Sequence, residues 1–147
     1  LFMQWQLPPP LGEKLDNPAS LPALELAYIG DAVYELWART YLCGQGICKV
    51  NDLHCKTVAL VRAETQAALA QKIASSLTEE ETAILHRGRN AKGRIPKHVS
   101  VQLYRQATGM EALIGYLYLQ GQTGRLQEVF ACLLALMEEE KNACTVD

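Results

Sequence analysis

The chain has 147 residues and a mass of 16.3 kDa, about the size of one domain, and a single core is expected before a second becomes economical in surface. With 49% hydrophobic and 20% charged residues, 10 Gly and 6 Pro, it lies in the ordinary globular range, which excludes a collagen-like, low-complexity or disordered chain. The net charge of -2 would argue against a polyanionic partner if charge were spread evenly, but it is not. From His86 to Arg105 the chain holds 6 of its 14 Lys and Arg and none of its 16 acids, which leaves 8 basic residues against 16 acidic ones elsewhere.

The opening stretch, residues 1–18, carries four of the six prolines and reads as a loosely held arm, without the basic and apolar regions of a secretory leader. From Leu21 to Leu42 the positions Leu26, Ile29, Val33, Leu36 and Trp37 recur at helical spacing, and Gly44 and Gly46 follow as stop signals. Further helices are predicted over Asn51–Ser75, Thr78–His86, Lys97–Gln106, Met110–Gln120 and Gly124–Glu140, with residues 141–147 as a frayed tail. No segment alternates with period two, so the fold class is all-α. The longest apolar run, Val129 to Met137, is far short of the roughly 20 residues that span a bilayer, so no membrane partner is expected. Thr78 with Glu81, and Thr108 with Glu111, match the capping box, in which a Thr oxygen and a Glu carboxylate satisfy free N–H groups at a helix start.

The five cysteines (Cys43, Cys48, Cys55, Cys132, Cys144) contain no C-x-x-C pair, which favours a reducing compartment over a disulfide scaffold. Zinc ligation by His54 with Cys43, Cys48 and Cys55 is a minor alternative to free thiols, because the spacings fit none of the usual zinc sites. The stretch HRGRNAKGRIPKH, Gly-rich and broken by Pro96, reads as a flexible basic loop suited to phosphate. A solvated loop that only keeps the protein soluble is the other reading.

Two carboxylates need explaining. In the first helix Tyr28, Asp31, Glu35 and Arg39 share a stripe away from Val33. A surface pair of Glu35 with Arg39, worth about 0.3–0.5 kcal/mol, accounts for those two residues. It does not account for Asp31, a mediocre helix former that follows Gly30. Glu111 is the only charged residue between Gln106 and Gly124, in a segment apolar nearly all round, which predicts burial. It is either the partner of Thr108 in a cap or a carboxylate paired, neutralised or bound to metal. Gly30 and Gly115 would let two helices cross closely enough to bring Asp31 and Glu111 together, and paired oxygens of that kind suit a hard cation such as Mg²⁺.

The strings LAYIGDAVYELWAR around Asp31, RGRNAK from Arg87 to Lys92, and YRQATGMEALIGYLYLQG around Glu111 together resemble the ribonuclease III family, most closely its small branch, the mini-ribonucleases III, in order over roughly residues 20 to 135. The resemblance implies a helical endonuclease domain, a homodimer that cuts double-stranded RNA with Mg²⁺ (Mn²⁺ substituting), leaving 5′-phosphates. In the branch this serves maturation of precursor large-subunit ribosomal RNA, in the bacterial cytoplasm or, after removal of a transit peptide, the plastid stroma. It implies Asp31 and Glu111 as catalytic metal ligands, with Glu35 as a candidate water orienter or a surface ion-pair member. The larger family carries further carboxylates where this chain has Ala27 and Thr108, a departure shared with the small branch that leaves the number of bound metals open. The expected RNA contacts are Arg87, Arg89, Asn90, Lys92, Arg94 and Lys97, with Lys56 and Arg62. Tyr28 and Trp37 are the expected anchors between subunits, because the family places its signature helix there. A catalytically inactive RNA-binding relative and a purely helical interaction protein are the competing functions.

Overall fold

The computed structural model describes residues 15, 17–47 and 49–144, so most of the expected N-terminal arm, Cys48 and residues 145–147 lie outside the described residues. Among those described there are six α-helices and no strand: α1 (Ala23–Gly44), α2 (Val50–Val61), α3 (Ala63–Ile73), α4 (Glu79–Asn90), α5 (Val101–Leu119) and α6 (Thr123–Cys144). Short 3₁₀ turns cover Pro18–Ser20 and Ala74–Ser76.

The apolar segment around Glu111 becomes the axis of the bundle. Nearly every residue of α5 from Ala107 to Leu117 is buried, and α5 packs against α1, α4, α3 and α6. A helix without a polar face can only be stable when surrounded in this way. Leu26, Tyr34, Met110, Leu113, Ile114, Leu117 and Leu133 anchor one continuous core, closed on the α1–α6 side by Trp37 stacked on Phe130 with ring centroids 4.3 Å apart.

Four of the expected helix assignments are corrected. The helices expected at Lys97–Gln106 and Met110–Gln120 are a single helix. It starts after Ser100, whose Oγ accepts from Leu103 N; Lys97 lies in the turn before it. The Thr108 hydroxyl donates to the Tyr104 carbonyl at 2.9 Å, so Thr108 and Glu111 form no capping box: a Thr can bond back within its own helix as well as cap one. Asn51–Ser75 is divided at Arg62, whose backbone is extended. Finally, α4 runs past His86 to Asn90, because Gly88 sits on α5: a Cβ there would lie 2.7 Å from the Gly109 Cα and 2.8 Å from the Ala112 Cβ. The helix thus gains packing that outweighs the low propensity of Gly. At the other end α6 continues through Cys144, four residues beyond the expected stop.

The Thr78 capping box is present, with Glu81 N donating to Thr78 Oγ1 (3.1 Å) and Thr78 N to Glu81 Oε1 (2.9 Å). The same buried carboxylate pairs with Arg125 Nε at 2.8 Å and so ties α4 to α6.

Candidate active site

The site is made by a helix crossing that only glycine permits. A Cβ on Gly30 would overlap the Glu111 carbonyl oxygen and come within 2.8 Å of Gly115 N; one on Gly115 would overlap the Leu26 carbonyl oxygen and come within 3.0 Å of Gly30 N. Backbone therefore lies against backbone where α1 passes α5, as the two glycines predicted. Asp31 follows Gly30 on α1, and Glu111 sits one turn before Gly115 on α5, so the crossing that the glycines set brings the two acids into one neighbourhood.

The two acids sit in different surroundings. Burial pushes the Glu111 carboxyl up to about 7, against the opposing hydrogen bond from Gln66 and with the Asp31 charge adding to the rise. Asp31, at the solvent edge, is raised by partial burial and then by the charge of Glu35. Glu111 Oε1 accepts from Gln66 Nε2 at 3.1 Å, and no cationic side chain contributes to the balance of either acid. Tyr34, three residues after Asp31, donates its hydroxyl to the Leu60 carbonyl at 2.7 Å; burial, with the Glu111 charge second, raises its phenol above the ordinary value and keeps it a neutral donor.

Two anionic oxygen donors from rigid helices, uncompensated by Lys or Arg, are the donor set that a hard divalent cation takes. The fit is supported by Gln66 Oε1, a buried acceptor without a partner on the amide that bonds Glu111. Among the described residues no three His, Cys, Asp or Glu side chains come together in a group that could hold a metal. Ala27 and Thr108 are both buried. Cys43 and His54 line one cleft between α1 and α2 with Arg39, Val50, Leu53 and Thr57, but the described cysteines form no metal cluster with His54.

The other expected site residues are placed unequally. Glu35 pairs with Arg39 (2.8 Å) and lines an open groove with Tyr28, Asp31, Leu36 and Tyr118. Tyr28 is 82% exposed on α1. Trp37 is only 8% exposed, however, and stacks on Phe130 and Tyr41; it belongs to the chain's own core and is corrected as a surface anchor, since helical rotation carries it to the side facing α6. Arg89, Asn90, Lys92, Arg94 and Lys97 are exposed, the first two on the last turn of α4 and not in a loop. Arg87 is also helical, and its guanidinium donates to the carbonyls of Ala19 and Leu21, each at 2.7 Å, so it fastens the entry to α1. Lys56 stands on α2, which packs on α1 and α3, apart from the α4–α5 pair; Arg62, at the α2–α3 break, donates to Thr65 Oγ1 at 3.3 Å.

Gln66, Thr65 and Tyr34 were not singled out from the sequence. Gln66 did leave a signal: with Leu69, Ala70 and Ile73 it keeps the spacing of a buried helix face, so a polar side chain stands in a core register.

The fold is an all-helical bundle wrapped around one buried central helix, and the Ribonuclease III domain family matches residues 24–122. Mini-ribonuclease 3 of Desulfitobacterium hafniense is 51% identical over 118 residues, 80% of this chain and 75% of that protein. Mini-ribonuclease 3 of Symbiobacterium thermophilum is 46% identical, with 85% of this chain covering 97% of that one. A protein of Fusobacterium nucleatum solved by X-ray crystallography superposes with a TM-score of 0.74 at 29% identity, over 84% of this chain and 99% of the other. The chain belongs to the ribonuclease III family, in its Mini-ribonuclease 3 branch.

Proposed function

We propose that the protein is a divalent-metal-dependent endoribonuclease that hydrolyses phosphodiester bonds in double-stranded RNA, with Asp31 and Glu111 as the carboxylates that hold Mg²⁺ or Mn²⁺. The observation that carries this reading is the Gly30–Gly115 crossing, which sets Asp31 on α1 and the half-buried Glu111 on α5 in one neighbourhood, with Glu111 held by the neutral amide of Gln66 and not by a cation. Membership of a ribonuclease family and the name of its relatives support RNA as the substrate.

When bound, Mg²⁺ supplies a water of lowered pKa and polarises the scissile phosphate. Everything else is the work of side chains. Asp31 and Glu111 offer one carboxylate each from helices that cannot slide, because the Gly30–Gly115 contact fixes them. Glu35, on the same groove as Asp31, orients water at the solvent edge. Arg89, Asn90, Lys92, Arg94 and Lys97 bind phosphates, with Lys56 and Arg62 as outlying contacts. A-form RNA shows mainly phosphates and 2′-hydroxyls across its wide, shallow minor groove, so shape and charge suffice and no base-reading element is needed. The products carry 5′-phosphates.

The active form is a homodimer. The exposed face of α1 supports this: Leu24, Tyr28, Ala32 and Leu36 repeat every fourth residue and leave an apolar stripe uncovered, with Asp31 and Glu35 at its edge. Tyr28→Asp is expected to shift the sedimentation coefficient from dimer towards monomer. The physiological substrate is precursor large-subunit ribosomal RNA; the bacterial relatives support a cytoplasmic setting, and no described helix is long and apolar enough to cross a membrane.

The test is incubation with a long RNA duplex and with either of its single strands, with and without Mg²⁺. The duplex alone is expected to be cut, and only with the metal. A duplex bound but uncut in Mg²⁺ and in Mn²⁺ would instead identify a binding subunit.

A further inference from the structure

The break between α2 and α3 leaves the last carbonyls of α2 without their helical partners, a cost that must be met from elsewhere. Each finds a donor. Val58 O keeps its ordinary helical bond from Arg62 N at 2.9 Å, and the three carbonyls beyond it are met by side chains: Ala59 O accepts from Thr65 Oγ1 at 2.7 Å, Leu60 O from Tyr34 OH at 2.7 Å, and Val61 O from Gln66 Nε2 at 2.8 Å. Thr65 and Tyr34 act as caps towards that end alone. Gln66 does not: the same amide nitrogen also donates to Glu111 Oε1 at 3.1 Å, so both of its hydrogens are spent, one on the junction and one on the acid.

The other half of the amide is stranded. Gln66 is 3% exposed and its Oε1 has no hydrogen-bond partner. An unsatisfied buried acceptor costs about 1–3 kcal/mol, which a Met or Leu in the same register would avoid. A cap for Val61 alone does not require that cost. A side chain that must both hold the Glu111 carboxylate and offer an acceptor to a water beside it does.

We propose that Gln66 is a positioning residue for the active site: Nε2 fixes the Glu111 carboxylate against the α2–α3 junction, and Oε1 would accept a hydrogen bond from a water beside that carboxylate when the cation is held there. This rests on the assignment of Asp31 and Glu111 as metal ligands. It commits the α2–α3 junction to function as well as to the fold, because the length and angle of that break decide where the amide stands.

The test measures Mn²⁺ binding without RNA, by the electron paramagnetic resonance signal of the free ion, alongside the melting temperature without metal. Gln66→Met keeps the volume and removes both hydrogen-bonding ends; Thr65→Val removes a cap from the same junction without touching Glu111. Losses of about 10–100-fold in metal affinity are usual when a group behind a ligand is removed, and a loss of at least about tenfold is expected for Gln66→Met, with less than about twofold for Thr65→Val. Both variants are expected to melt below the wild type. If Gln66→Met does not fold, Gln66→Asn, too short to span both partners, is held to the same expectation. Wild-type affinity in the Gln66 variant, or an equal loss in Thr65→Val, overturns the proposal. Glu111→Gln separates the two failures: if it too binds Mn²⁺ as the wild type does, the metal assignment falls and the proposal with it, whereas a loss in Glu111→Gln without one in the Gln66 variant overturns the positioning role alone.

Discussion

At the crossing of α1 with α5 the places of Asp31 and Glu111 are set by backbone against backbone, whereas from Ala91 to Ser100 the Lys and Arg side chains stand on irregular chain. Gly30 and Gly93 show the contrast. A Cβ on Gly30 would overlap a carbonyl oxygen; one on Gly93 would meet the Leu24 methyls at 3.5 Å, an ordinary contact. Hydrolysis at a metal needs ligands held to a fraction of an ångström, and such placement comes from packed helices. Phosphate binding needs charge within reach, and an exposed turn supplies that.

The contrast is broken most violently at the crossing. Gly30→Ala is expected to abolish folding or to cost more than about 3 kcal/mol in chemical denaturation, because neither backbone can yield, while Gly93→Ala stays within about 0.5 kcal/mol. Equal effects at the two glycines would dissolve the distinction.

Next in size is a pH effect in the metal-free protein. Folding raises the Glu111 carboxyl from its ordinary 4.5 to about 7. The proton is therefore bound more tightly in the folded state, so this group's stabilising contribution is whole below about 4.5 and lost as pH climbs through about 7. Thermal melts without divalent metal should show that decline across the interval, and Glu111→Gln should remove it. Saturating Mg²⁺ should reverse part of the decline, because the cation favours the ionised carboxylate.

The smallest effect separates Arg87 from the exposed turn of the basic region. Replacing Lys92, Arg94 and Lys97 by Gln is expected to weaken duplex RNA binding alike for all sequences and to lower the magnitude of the salt slope by about one per lost contact. Arg87→Gln, by contrast, loses its bonds to Ala19 and Leu21, so it should cost about 1 kcal/mol of stability and leave the salt slope as it is. A steep loss of RNA affinity in Arg87→Gln at unchanged stability would move that residue back among the phosphate contacts.

The crossing was legible in the sequence because each of its parts violates a local rule: Gly-Asp inside a helix, and a lone Glu in an apolar one. Residues that fit no local pattern are the ones that tertiary contacts have placed. The same reasoning failed where a local rule had two outcomes. Thr108-Gly109 reads as a helix start, yet the Thr bonds back to Tyr104 and the Gly makes room for α4. Arg87 looked like one more loop cation, and only the fold shows its guanidinium reaching two carbonyls some 68 and 66 positions away in the chain. Trp37 is expected between subunits because the family places its signature helix there, yet its spacing already groups it with Leu26 and Val33, and α6 covers that face. Gln66 was passed over for the opposite reason. Its neighbours fit a helix well, and the fault in the pattern, an amide on the buried face, becomes visible only with Glu111 beside it.

The most direct measurement is the cleavage rate of an RNA duplex by Asp31→Asn and by Glu111→Gln at saturating Mg²⁺, taken with duplex binding and melting temperature of each. Each change removes a ligand charge at nearly constant volume. The rate is expected to fall by more than about a hundredfold, equivalent to about 2.7 kcal/mol of transition-state stabilisation, with binding and fold kept. Cleavage by either variant within about tenfold of the wild type, or a loss of rate that tracks a loss of folding, would contradict the assignment of these two carboxylates to the metal site.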